Sequence, residues 1–178
     1  MPYARPSLHR LGLLWGAAIA LALLGGCGPA SSAPDGGDSR SSAPEAQHLP
    51  VSACAQFAGT DTSVTLEVAR TSQQQAQGLQ HRRELAPNRG MLFPFEAPRQ
   101  VQFWMKDVPI ALDMVFVRSG RIQHIAARAP PCPSEPCPTY SPGEPVTQVI
   151  ELRGGRVQEL GLAVGDRVRI ESVSPQAP

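Results

Sequence analysis

The chain has 178 residues, of which 42% are hydrophobic and 17% charged, a length suited to one compact domain rather than two. Its 16 cationic and 15 acidic side chains give a formal net charge of +1, and no basic stretch is interleaved with aromatic residues, so the composition argues against nucleic acid as a partner. The 19 Pro and 16 Gly against 5% aromatic residues are typical of short strands joined by many turns, and we expect a monomeric domain.

The first 26 residues have the pattern of a bacterial signal peptide. Arg5 and Arg10 precede an apolar run over residues 11–24, which is shorter than the roughly 20 residues needed to span a bilayer. The run ends in Leu24-Gly25-Gly26-Cys27, which resembles the lipobox of lipoproteins. Cys27 is therefore predicted to carry a lipid that anchors the protein to a membrane. The alternative is a cleaved soluble signal in which Cys27 is incidental.

The segment that follows Cys27 is predicted to be a linker. Residues 28–50 are rich in Ser, Pro, Gly and Ala, and Leu49 is their only large apolar side chain, so they cannot bury enough surface to become ordered. We therefore divide the mature chain into a lipid-bearing Cys with a disordered linker, residues 27–50, and one domain, residues 51–178. The domain would face the periplasm, and Gly28 after the Cys weakly favours the outer membrane.

Seven short strands are predicted in the domain from alternating or continuous apolar residues between turn signals. They cover residues 64–69, 91–95, 101–105, 111–117, 122–127, 146–152 and 168–173. A capping box from Ser72 to Gln75 predicts a short helix that ends at Gly78, and residues 157–162 allow a further helical turn. This pattern favours a mainly β, compact single domain, either a sandwich or a barrel, with one or two short helices.

The most informative segment joins two of these strands. Along residues 101–106, Phe103 and Met105 are predicted to face the core while Trp104 and Lys106 face the other way. Lys106 is the only Lys of the protein. It is interpreted either as a solvated flank of a groove or as a position that needs an ammonium group rather than a guanidinium group.

A second charged residue of this segment, Asp113, lies inside an apolar strand, where an unpaired carboxylate would be costly. It is interpreted as capping backbone N–H groups or pairing with Lys106 or Arg82. A buried pair of Lys106 and Asp113 could also act as an acid/base unit.

Two functions remain open at this point. The first is a binding or accessory module with a groove for a small polar ligand or a partner's peptide. The residues predicted to form this groove are Arg82, Met91, Trp104, Lys106, Asp113 and Glu151. The second is a small enzyme that uses Lys106 and Asp113.

Metal and cofactor sites are not predicted. Within the domain only His81 and His124 are available, and no His, Cys and Asp residues have the spacing of metal ligands. A hydrolase nucleophile motif is also missing from the sequence.

The remaining cysteines predict one disulfide. Cys132 and Cys137 lie in a Pro-rich loop, separated by Pro-Ser-Glu-Pro, and an exported domain matures in an oxidising compartment. We expect these two to be bonded and Cys54 to be left without a partner.

Residues from about Leu66 to Val173 resemble the domain of unknown function 192, a family of bacteria and archaea. The resemblance is carried by Gly90-Met91-Leu92-Phe93, by Phe103-Trp104-Met105-Lys106 followed by Pro109 and Leu112-Asp113, and by Glu151-Leu152 with Gly154-Gly155. The Pro- and Cys-rich insert around Cys132 is similar to the cyanobacterial lipoprotein branch. Membership would imply a small, mostly β fold with no established activity.

Overall fold

A computed structural model describes residues 45–176. The predicted signal peptide, Cys27 and most of the predicted linker lie outside the described residues. Nine strands and two short helices follow one another along residues 45–176. They are β1 (Val51–Phe57), β2 (Ser63–Val68), α1 (Ser72–Gln77), β3 (Arg89–Arg99), β4 (Phe103–Trp104), β5 (Leu112–Arg118), β6 (Arg121–Ala129), β7 (Thr139–Tyr140), β8 (Val146–Arg153), α2 (Arg156–Glu159) and β9 (Val168–Gln176). The predicted mainly β class with two short helices is confirmed.

Seven strands form one sheet in the order β6-β5-β8-β3-β2-β1-β9, and β4 pairs separately with β7. Neighbouring strands of the large sheet are antiparallel except β2 and β3, which are parallel. A parallel pair needs a crossover connection, and α1 lies within that connection. The edge strands approach each other at one bridge, between Arg121 and Arg167, but the described strands do not close into a barrel.

Both faces of the sheet are buried, because side chains alternate along each strand and each face is covered. One face carries the cluster that contains Leu66, Val115 and Ile150, covered by Val157 and Leu162 around α2. The opposite face carries the cluster that contains Met114, covered by loop residues and by Phe103 of β4. The strands β5 and β8 are therefore buried on both sides, as their apolar runs indicate.

The strands β5 and β6, both predicted from the sequence, form a hairpin. Arg118 pairs with Arg121, so the loop consists of Ser119 and Gly120, whose φ angles are 51° and 68°. Two consecutive positive φ values match the right-handed twist of the flanking strands, which is why Gly is favoured in the second position.

Two local predictions needed correction. The capping box of α1 begins one residue earlier, at Thr71: its side chain accepts the N–H of Gln74, and the Gln74 side chain accepts the N–H of Thr71. The strand β1 was not predicted, although it pairs with both β2 and β9. Its inward residues Ala53 and Ala55 are small, so the sequence alternation there carried little hydrophobic contrast.

The predicted disulfide is present. Cys132 and Cys137 are bonded, with 5.7 Å between their Cα atoms. Cys54 forms no disulfide among the described residues.

No helix within residues 45–176 has the length and apolar character needed to cross a membrane.

Asp113 is the most deeply buried charged residue, with no exposed surface. One carboxyl oxygen accepts the backbone N–H of Arg128 at 2.7 Å and that of Gly155 at 3.0 Å, and the other accepts the N–H of Val157 at 2.7 Å. Thus it joins β5 to the end of β6 and to the start of α2. The interpretation of Asp113 as a cap of backbone N–H groups is confirmed.

The alternative pairing of Asp113 with Lys106 or Arg82 is wrong. Asp113 alternates with Leu112 and Met114, both of which belong to the cluster beneath β4, so its side chain lies on the opposite face of the sheet. Lys106 instead pairs with Glu135, and Arg82 pairs with Glu67.

We expect Asp113→Ala to lower the free energy of unfolding by several kcal/mol, since each buried N–H donor left without an acceptor costs about 1 to 3 kcal/mol. Lys106→Met is the matched control and should leave stability unchanged within error, because the Lys106 side chain is exposed to solvent. Urea unfolding of the three proteins measures both effects. Comparable losses in the two variants would contradict the separation of Lys106 from Asp113.

Candidate functional site

A groove of about 670 Å³ is bordered by α1 on one side and by the chain between Phe93 and Trp104 on the other. Its wall combines aromatic rings with polar side chains. The lining residues are Ser72, Gln75, Ala76, Phe93, Phe95, Arg99, Gln100, Val101, Gln102, Phe103 and Trp104. Concave surfaces with aromatic walls and a few polar groups are typical of ligand sites.

A smaller cavity of about 30 Å³ adjoins this groove, since Gln75, Phe93, Phe103 and Trp104 contribute to both. The smaller cavity is also lined by Lys106 and Glu151, which the groove itself lacks. We call the 670 Å³ space the groove and the 30 Å³ space the Glu151 cavity.

The side-chain amide of Gln75 holds the two walls of the groove together. Its Nε2 donates to the carbonyl oxygen of Ala69 at 3.1 Å and to that of Pro94 at 3.0 Å. Pro94 lies in β3 just before the register shift of that strand, where its carbonyl needs a donor from outside the sheet. One side chain therefore fixes α1 against β3.

Trp104 and Lys106 form the rim, as the alternation along this segment predicts. Trp104 is 49% exposed whereas Met105 is buried, and the Lys106 Nζ atom lies 5.6 Å from the centroid of the Trp104 ring. Lys106 also forms an ion pair with Glu135, and this hydrogen bond raises the pKa of Lys106 above its ordinary value. The solvated-flank interpretation of Lys106 therefore describes its position.

Glu151 lies in the wall of the Glu151 cavity and is only 4% exposed. Across the sheet its neighbours are Met91 on β3 and Met114 on β5, so its surroundings are apolar. Burial raises the pKa of Glu151 to about 8. No described residue donates a hydrogen bond to its carboxyl group, and its oxygens are not among the fully buried atoms that lack a partner, so its small exposed fraction faces the cavity.

Glu67 is the informative comparison, because it occupies the same cross-strand row on the other side of Met91. Its carboxylate accepts from Arg82 Nη2 at 2.5 Å and from the backbone N–H of Leu49 at 2.8 Å, and Arg89 approaches within 3.5 Å. Glu67 is therefore fully partnered, whereas Glu151, two strands away, faces a cavity.

The structure brings together three of the six predicted groove residues, namely Trp104, Lys106 and Glu151. It separates the other three. Arg82 is buried in its ion pair with Glu67, Met91 is part of the core, and Asp113 caps backbone N–H groups on the opposite face. Three of the six residues that were predicted to form the groove therefore lie elsewhere in the structure.

The lining residues that the sequence reasoning missed include Gln75, Phe93 and Phe103. Gln75 was interpreted only as part of a capping box, and Phe103 only as a core residue. Phe103 in fact packs edge-on against Phe93, with 5.1 Å between the ring centroids, while also lining the groove. The one signal in the sequence for these lining residues was the position of Gln75, a polar residue on the short helix before the strand that carries Phe93.

The side chains around the groove and the Glu151 cavity are aromatic, amide and charged groups. Lys106 and Asp113 do not form an acid/base pair, and the described residues contain no cluster of three or more His, Cys, Asp and Glu side chains that could hold a metal ion. The groove is lined by the exposed Trp104 ring and by the cationic Arg99, and the Glu151 cavity adds Lys106 and a carboxyl group to which no described residue donates a hydrogen bond.

A second space of about 670 Å³ lies at the β1–β2 turn and the start of β9. Its volume equals that of the groove, but its walls carry fewer side chains suited to binding a ligand. Its walls are formed by turn residues such as Gly59 and Thr62, with Arg167 and Arg169 at the edge. Because it contains neither an exposed aromatic ring nor a buried carboxyl group, the groove beside Trp104 is the better candidate.

Comparison with known proteins gives a family and a fold without an activity. The model of the DUF192 family, described as an uncharacterised ACR, matches residues 53–170. A crystal structure from Sinorhizobium meliloti 1021, described as a proposed transcription regulator, is 37% identical, with a TM-score of 0.63; the match covers 71% of this chain and 97% of that one.

A crystal structure of a protein of unknown function from Novosphingobium aromaticivorans DSM 12444 is 33% identical, with a TM-score of 0.62. That match covers 72% of this chain and 94% of the other. No curated protein matches.

We expect the free energy of unfolding to fall as the pH rises from about 4.5, the ordinary pKa of the Glu151 carboxyl, to about 8, its pKa in the folded protein. Over this range the unfolded chain has lost a proton that the folded chain retains, so rising pH favours unfolding. The contribution is complete at lower pH and is lost above the upper value.

Urea unfolding over this pH range, for the wild type and for Glu151→Gln, isolates the effect because the Gln variant keeps the shape without titrating. The difference between the two proteins should grow with pH by a few kcal/mol, at about 1.4 kcal/mol for each pKa unit. If the free energies of unfolding of the two proteins changed in parallel with pH, the raised pKa of Glu151 would be contradicted.

Proposed function

Since the chain belongs to the DUF192 family, which is uncharacterised, we propose that it is a lipid-anchored extracytoplasmic binding domain whose ligand lies in the groove beside Trp104. The proposal is carried by one observation. The most exposed aromatic ring of the described residues, that of Trp104, lines both the groove and an adjoining cavity whose wall includes the buried Glu151.

The exposure of Trp104 supports a binding role. Large apolar side chains at the surface often mark interaction sites when they border a concavity. Trp104 and Val164 are the two exposed large hydrophobic residues of residues 45–176, and only Trp104 lines the groove. An indole ring can stack on a ligand while its N–H group remains available for a hydrogen bond.

The margin of the groove favours a polar ligand. Arg99 lies over the ring of Phe95, with its guanidinium carbon 5.0 Å from the centroid, and Gln102 adds an amide group to the lining. Such side chains recognise hydroxyl, carbonyl and carboxylate groups by directional hydrogen bonds. A small polar molecule or the side chains of a partner's peptide would satisfy these groups.

Location at a membrane is supported by the sequence. The apolar run over residues 11–24 precedes the lipobox-like Leu24-Gly25-Gly26-Cys27, and the Cys132–Cys137 disulfide suits an oxidising compartment. The predicted linker runs over residues 28–50, but Gln47 and Leu49 are hydrogen-bonded to the domain, so the part before residue 45 would be the tether at the membrane surface.

The description of the Sinorhizobium meliloti protein as a transcription regulator is not extended to this chain. DNA binding draws much of its affinity from cations that neutralise phosphates, and here 16 cations are balanced by 15 acids. A lipid-bearing exported protein would also be separated from the chromosome.

The anchor is tested by mass spectrometry of the protein purified from bacterial membranes. We expect a mature N-terminus at Cys27 that carries a diacylglyceryl group and an acylated amine. Cys27→Ser should leave the protein uncleaved and remove the added mass. A mature chain that begins elsewhere and carries no lipid would contradict the proposal.

The groove is tested by screening cell-wall fragments and metabolites for an increase in melting temperature, followed by titration of each hit. Trp104→Ala should weaken binding by at least about tenfold, since truncation of a central aromatic contact costs about 2 kcal/mol or more. Val164→Ala is the matched control, because Val164 is also exposed but lies outside the groove, and it should bind like the wild type. Equal affinities in both variants would refute the site.

A further inference from the structure

The Glu151 cavity has the features of a built subsite, and each can be stated separately. Glu151 is buried to more than nine-tenths, it lines the cavity, and no described residue donates a hydrogen bond to it. A cavity of about 30 Å³ exceeds the 10 to 15 Å³ that a water-sized group requires, so it admits a small terminal group but no ring.

A buried carboxyl group without a partner is costly, and the protein shows how it otherwise treats such a group. Glu67, in the same cross-strand row, is neutralised by Arg82 and bound by a backbone N–H. The corresponding partners of Glu151 are absent from the described residues, and in their place is a cavity that shares wall residues with the groove. The missing donor is therefore expected from a ligand.

The walls of the cavity indicate the charge of that donor. Three aromatic rings, those of Phe93, Phe103 and Trp104, line the approach, and aromatic faces attract cations. Lys106, which also lines the cavity, is paired with Glu135, and Arg82 is paired with Glu67, so neither cation forms an ion pair with Glu151. A cation that enters the cavity would meet one carboxylate with no competing ion pair.

From these features, and resting on the proposed binding function, we infer that the Glu151 cavity is a subsite for a primary ammonium group at the end of an unbranched chain. The ammonium group supplies three N–H donors in the volume of a water molecule, and its stem would run along the aromatic rings that line the cavity. Glu151 transfers its proton to solvent when the cation binds, and the resulting ion pair replaces the buried neutral acid.

This inference predicts a sign for the pH dependence of binding. Because burial raises the pKa of Glu151 to about 8, an ammonium ligand must displace a proton below that pH and need not do so above it. The dissociation constant of an ammonium ligand should therefore fall about tenfold between about pH 7 and pH 9, where an amine with a pKa of about 10.4 is still protonated. A neutral hydroxyl group that accepts a hydrogen bond from the protonated acid would show the opposite trend.

The experiment titrates the purified protein with n-butylamine, using n-butanol as the uncharged probe of the same shape. Binding is followed by the NMR signal of the Trp104 indole N–H, which is assigned by its loss in Trp104→Phe. We expect n-butylamine to bind more tightly than n-butanol and to gain affinity with pH. In Glu151→Gln, which keeps the shape of the side chain, the preference and its pH dependence should both disappear.

Three outcomes would overturn the inference. One is equal binding of the two probes at all pH values, a second is preferential binding of n-butanol that weakens above pH 8, and a third is no response to either probe. None of these outcomes decides whether the groove binds ligands, because that is judged by the comparison of Trp104→Ala with Val164→Ala. The two proposals can therefore fail independently.

Discussion

The fold depends on the hydrogen bonds that the Asp113 carboxyl group accepts. This one carboxyl group accepts three backbone N–H groups from two other parts of the chain, the end of β6 and the Gly155–Val157 turn. A four-residue helix such as α2 has no independent stability, so its position relative to the sheet is set from outside by this side chain. The position of α2 in turn determines how Val157 covers one face of the sheet.

Much of the sheet could be predicted from the sequence, because the alternation along β2 and the apolar runs of β5 and β8 depend only on local pattern. The strand β1 could not, since small residues such as Ala53 are buried without standing out as hydrophobic. The prediction that Lys106 pairs with Asp113 was wrong for a related reason, because a local pattern does not show which face of the sheet a segment covers. Strand parity places Asp113 on the face opposite Met114, and only the three-dimensional sheet shows which face the segment with Trp104 covers.

The candidate site was harder to predict than the fold. Trp104 and Lys106 were recognisable from their spacing, but Glu151 in the segment Val149-Ile150-Glu151-Leu152 looks no different from Glu67 in Leu66-Glu67-Val68. The distinction arises from tertiary structure, where Arg82 reaches one carboxylate and a cavity adjoins the other. Absence of a partner is a property of the folded chain, and no local pattern reports it.

The disulfide between Cys132 and Cys137 has a consequence for how the protein is prepared. The loop that it closes carries Glu135, whose carboxylate neutralises Lys106 at the rim, and Cys132 itself forms an isolated β-bridge with Lys106. Recombinant material made in a reducing cytosol would have the same sheet and the same core, yet an open loop would release Glu135 from the lysine. The oxidised and the reduced protein would differ in mass by two hydrogens and have similar circular dichroism. They would nevertheless present different electrostatic surfaces to a ligand.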